Sequence, residues 1–103
     1  MRKTTSLRDG TVLSTKRMEG ADGAGFPPHT ASHESALVIL KGACTITFGE
    51  VSHELHAGDT FIIPADEVHQ VVGLPDFTAI HVMPKDIRFN FKVQDRSPGT
   101  TRP

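Results

Sequence analysis

At 103 residues, with 37% hydrophobic residues and a net charge of −1, the chain suffices for one domain with one modest core and no separate cofactor domain. The charge is uneven: residues 1–17 carry five Lys/Arg against one Asp, residues 18–84 one Lys against nine Asp/Glu, and residues 85–103 five Lys/Arg against two Asp. An acidic middle excludes nucleic acid as the main partner, because phosphate contacts need a basic face, and no stretch approaches the roughly 18 apolar residues of a membrane-spanning helix.

The basic start, Met1-Arg2-Lys3-Thr4-Thr5-Ser6, leads into no apolar run, so it does not read as a secretory signal. A single cysteine, Cys44, excludes an internal disulfide and agrees with a reducing compartment. The expected location is the cytoplasm, with no membrane partner. Residues 1–10 are expected to be a partly flexible segment. After them, turn signals arrive every five to ten residues: Gly10, the Gly20 to Gly25 cluster, Pro27-Pro28, Gly42, Gly49-Glu50, Gly58-Asp59, Pro64-Ala65-Asp66, Gly73 with Pro75-Asp76, and Pro84. Between them lie β-type runs: Thr11 to Met18, Ser35 to Leu40, Ala43 to Phe48, Val51 to Leu55, Thr60 to Ile63, Val68 to Val72, Phe77 to Met83 and Ile87 to Val93. No stretch of a dozen residues carries a helical stripe. Many short strands at even spacing predict an all-β sandwich or barrel.

Two runs set the period. Cys44, Ile46 and Phe48 alternate with Ala43, Thr45 and Thr47, as a half-buried strand requires. Gly49-Glu50 then suits a type II′ hairpin, with Gly first. Ile87, Phe89, Phe91 and Val93 alternate with Arg88, Asn90 and Lys92. That apolar face at a chain end suggests either a sheet edge or a homodimer contact. The tail, residues 95–103, has no apolar residue and is expected to be flexible.

Five of the six histidines fall between His29 and His69. Imidazole is the commonest protein ligand for mid-row divalent metals and titrates near neutrality. Clustered on strands, histidines point to a site for a metal or an anion.

The stretch Gly58-Asp59-Thr60-Phe61-Ile62-Ile63-Pro64-Ala65-Asp66-Glu67-Val68-His69 resembles the second motif of the cupin superfamily: Gly, five residues, Pro, one residue, Gly, two residues, His, three residues, Asn. Asp66 takes the second Gly position and Gly73 the Asn position. The stretch from His29 to Gly42 is similar to the other cupin motif, a His-x-His pair, then Glu, then Gly seven residues on. Counting back from Gly42 puts the Glu position on Ser35, the second His position on Ala31 and the first on His29. The resemblance spans roughly residues 25–84. It implies a double-stranded β-helix, a jelly-roll barrel, as one domain over residues 11–94.

That resemblance makes the face shared by His29, Ala31, His33 and Ser35 the barrel interior, if the strand is regular. A divalent metal ion (Fe, Mn, Ni or Zn) would then be held by His29, His33 and His69, with Glu34 or water completing the shell. Glu34 is the candidate catalytic group, as a mover of protons. The competing reading is a pocket with no metal ion or other cofactor, whose imidazoles bind a small organic acid. Pocket walls are assigned to Ser35, Phe48, Phe61, Phe77, His81 and Met83, since Phe77, His81 and Met83 share a strand face. His53 and His56 read as surface or packing residues. A metal-dependent dioxygenase, isomerase or decarboxylase is one expected function; a metal-free small-molecule binding or sensing module is the alternative. Either takes a small-molecule ligand.

Overall fold

In the computed structural model, residues 1–91 are described and form eight strands, with no helix among them. The strands are β1 (Arg2–Asp9), β2 (Leu13–Gly20), β3 (His29–Ala31), β4 (Ser35–Phe48), β5 (Val51–His56), β6 (Thr60–Ile63), β7 (Gln70–Pro84) and β8 (Phe89–Phe91). The larger sheet runs β1-β2-β7-β4-β5, with β6 also paired to β4. The smaller sheet is β3-β8. All pairings are antiparallel. The tail from residue 95, expected to be flexible, lies outside the described residues, as do Lys92 and Val93.

β4 and β7 form the spine. β4 gives its first half to β6 and its second half to β5, while β7 pairs along most of its length. The turn signals at Gly42 and at Gly73 with Pro75 divide these strands in the sequence but not in the fold. The ladder absorbs them as irregularities: the register shifts between Ile39 and Lys41 and again between Gly42 and Cys44. Inward residues accordingly change from Ser35, Leu37 and Ile39 to Cys44 and Ile46. Gly42 enables the bend, with φ at +70° and a backbone so close to Asp76 that a Cβ would overlap its carbonyl oxygen.

Residues 1–10, expected to be partly flexible, contribute a paired strand instead. β1 binds β2 from Arg2↔Gly20 to Asp9↔Ser14 with a bulge after Ser6. Its sequence hides it because it is an exposed edge with little apolar burial. Charged residues on such an edge oppose pairing with foreign strands.

The core lies between the sheets. Leu37, Ile39, Cys44, Ile46 and Val71 are almost wholly enclosed, with Phe26 and Phe77 meeting edge to face at 6.1 Å. Burying a Leu, Ile or Val side chain stabilises the fold by about 1.5–3 kcal/mol each. Along β7, Val71, Phe77, Ala79, His81 and Met83 face inward, so the strand's alternation carries one histidine into the interior.

Candidate functional site

Two histidines meet through backbone pairing. His29 starts β3, and His69 directly precedes β7. Their amides exchange hydrogen bonds, His29 N to His69 O at 3.1 Å and His69 N to His29 O at 3.0 Å. Residues so opposed project their side chains to the same face, and the rings stand 4.4 Å apart at 61°. The loop before His69 turns at Asp66, whose φ of +63° is the left-handed conformation that Asp tolerates better than most residues. The Asp66 amide donates to the Ala31 carbonyl at 2.8 Å, tying that turn to β3.

Each ring is fixed by a backbone carbonyl two residues upstream. His29 Nδ1 lies 3.0 Å from Pro27 O, and His69 Nδ1 lies 2.9 Å from Glu67 O. A carbonyl only accepts, so Nδ1 donates in both rings, and in the neutral form of each ring Nε2 is left as an acceptor. Burial holds the His69 pKa below its usual value, with the His29 charge adding to that and the Glu67 carbonyl and carboxylate opposing it. His81 sits opposite Leu37 on β4 and Lys16 on β2. Its Nε2 and the buried Ser35 Oγ share a hydrogen bond of 2.8 Å. Burial, then the charges of Lys16, His29 and His69, push the His81 pKa down to about 4.

These three imidazoles line one cavity of about 140 Å³ with Lys16, Thr4 and an apolar wall of Met18, Phe26, Leu37, Ile63, Val71, Phe89 and Phe91. Lys16 Nζ sits 5.7 Å from the Phe89 ring centre. Among the described residues no carboxylate lines the cavity and none pairs with Lys16. A wider groove of about 390 Å³ holds Met1, Lys3, Glu19, Lys41 and Asp76, but no histidine and no convergent chemistry.

His29, His69 and His81 therefore come together, and His33 does not. The expected shared face needed a regular strand, yet β3 ends at Ala31 and a bend over Ser32-His33 intervenes before β4. The bend is held by Arg88, whose amide donates to Ser32 Oγ and whose carbonyl accepts from Ser32 N. The His33 side chain is 43% exposed, its Nδ1 2.7 Å from Ser32 Oγ and its Nε2 3.9 Å from Asp86. Glu34, the candidate catalytic group, is exposed beside a shallow groove with Leu13 and Ile62, away from the imidazoles. Ser35 is buried and touches the site through His81. Phe48 and Phe61 pack together at 5.9 Å, with Phe48 5.5 Å from the His69 ring, behind the cavity wall. Phe77 and Met83 are core residues. His53 and His56 lie on exposed stretches of β5, with His56 bonded to Glu54 at 2.8 Å.

Lys16, Phe89 and Phe91 also line the cavity, beyond the residues expected from the sequence. The alternation of the last strand was legible, and its apolar residues suggested a sheet edge or a homodimer contact. Phe89 and Phe91 stand 5.6 and 5.1 Å from the His29 ring and help close the cavity.

The donor set does not fit the metal centre expected from the histidine motif. Nδ1-anchored His29 and His69 have the backbone support usual for metal ligands. The other two motif positions hold Ala31 and Ser35, neither of them a charged donor, and His81 has its Nε2 committed to Ser35. Among the described residues no three His, Cys, Asp or Glu side chains form a metal-holding group.

A sequence model described as Cupin domain matches residues 16–82. Among curated proteins none matches significantly. A solved cupin superfamily protein from Desulfitobacterium hafniense is similar at 21% identity and TM-score 0.76, over 84% of this chain and 79% of that one. The polyketide cyclase RemF from Streptomyces resistomycificus is similar at 18% identity and TM-score 0.82, over 92% and 73%. KdgF from Halomonas sp. is similar at 21% identity and TM-score 0.71, over 89% and 80%. At such identities these likenesses speak for the double-stranded β-helix fold alone. No helix among the described residues is long and apolar enough to cross a membrane.

Proposed function

The chain belongs to the Cupin domain family, and from that premise we propose that it binds a small organic ligand in the barrel cavity without recruiting a metal ion. The observation that carries this reading is the composition of the cavity: three imidazoles and one ammonium set in an apolar wall, with two motif positions occupied by Ala31 and Ser35. Size supports it as well. A dry apolar cavity near 150 Å³ is known to accept a molecule of the size of benzene, and this one is about 140 Å³. Apolar walls supply affinity, and a few fixed polar groups supply orientation. The function that follows is that of a carrier or sensor module. A cytoplasmic location belongs to the same proposal, in keeping with the lone buried thiol of Cys44.

Thermal denaturation of protein stripped with a chelator, against a panel of small organic acids, tests this. A ligand at a hundred times its Kd stabilises by about 2.7 kcal/mol, enough to move the midpoint by several degrees. Stabilisation that survives chelation supports the proposal. Stabilisation that appears only after adding Fe(II), Mn(II), Ni(II) or Zn(II) overturns it.

A further inference from the structure

The polar groups of the cavity differ in what they can accept and donate. His29 and His69 have Nδ1 bound to carbonyls, so each neutral ring presents a lone pair at Nε2. Two bare acceptors side by side repel a carboxylate and welcome a hydroxyl hydrogen. Lys16 is the opposite: its ammonium is a donor without a lone pair, half-buried, unpaired with any carboxylate among the described residues. An ammonium in a low-dielectric wall attracts an anion more strongly than one in open water. Between these poles the wall is apolar, with Phe26, Phe89 and Phe91 supplying ring surfaces.

We infer that the cavity selects a ring-sized hydroxy acid, its anionic group held by Lys16 and its hydroxyl donated to the His29/His69 pair, with Lys16 the residue that sets the preference for an anion. This rests on the cavity being a ligand site and adds the chemical class of its occupant. A simple carboxylic acid satisfies only Lys16, and a simple phenol only the imidazoles. Each leaves a polar group of the cavity without a partner, which weakens binding.

The test uses the three monohydroxybenzoate isomers, benzoate, phenol and benzylamine as probes. Binding is followed through the ring resonances of His29, His69 and His81 in the full-length protein at neutral pH. At least one hydroxybenzoate binds about tenfold or more tighter than benzoate and phenol. Benzylamine is the weakest, since its charge meets Lys16. Lys16→Met lowers hydroxybenzoate and benzoate affinity about tenfold and leaves phenol unchanged. Lys16→Gln is the second variant, with circular dichroism to confirm the strands. The probe ranking in the unmodified protein stands as a test even if both variants unfold. Phenol or benzylamine binding as tightly as every hydroxybenzoate, or a folded Lys16 variant that leaves all probes unaffected, overturns the inference while the cavity remains a ligand site. If no probe moves any of the three histidine signals, yet an unrelated panel member from the thermal test binds there, the inference falls alone. If nothing moves them, both fall.

Discussion

Acidification should destabilise this fold through His81, and the size of the loss can be worked from its surroundings. The ring is 8% exposed, shares a hydrogen bond with Ser35 and faces the charge of Lys16. Unfolded, it takes up a proton as pH falls through its ordinary value of 6.5; folded, it resists until about 4. Between those values the unfolded chain binds more protons, so stability falls as pH falls. The stabilisation is fully present above 6.5 and is lost progressively on the way to 4. Each pKa unit corresponds to about 1.4 kcal/mol, so the full loss is about 3 kcal/mol. That is a large part of the total stability of a small domain. His69 shifts in the same direction and adds to the slope. Urea denaturation at several pH values, for the wild type and His81→Gln, isolates the His81 share. Glutamine keeps a hydrogen-bonding group near Ser35 and does not titrate. The wild type should lose about 3 kcal/mol more than the variant between about pH 7.5 and about pH 4. Coincident slopes would refute the assignment of a neutral, buried His81.

Ser35→Ala strands the buried His81 Nε2 and should cost about 1–3 kcal/mol in urea titration; no measurable change would mean that water replaces the hydroxyl at no cost. Gly42→Ala forces a side chain into the Asp76 carbonyl at positive φ and should lower stability by more than about 1 kcal/mol, read as a drop in the denaturation midpoint. Cys44 is fully enclosed and burial pushes its pKa up to about 11. It should therefore resist a disulfide reagent at neutral pH until denaturant is added, and immediate labelling of native protein would contradict its placement.

The barrel was legible because its strands obey period two and its turns carry Gly and Pro. Cys44 and Ile46 face in as the alternation required, and Phe77, His81 and Met83 share the inner face expected of them. Gly49, with φ at +59°, opens the β4–β5 turn as a hairpin with Gly first demands. What periodicity cannot register is a change of phase. His33 was assigned to the interior by counting from His29, and one bend at Ser32 cancelled the count. The same limit hid the joining of two runs into β4, where the bulges around Gly42 preserve the strand while shifting its inner face. β1 escaped notice because an exposed, charged edge strand needs no apolar pattern. Lys16 was hidden by chemistry: a lysine reads as surface, and only the packing of β2 against β7 brings it beside His81.

Metal analysis of the purified protein, prepared without chelator and then challenged with Fe(II), Mn(II), Ni(II) and Zn(II), bears most directly on the account. Substoichiometric metal throughout and a melting temperature unmoved by any of the four ions are expected. One equivalent of bound metal, lost on replacing His69 by alanine, would contradict it.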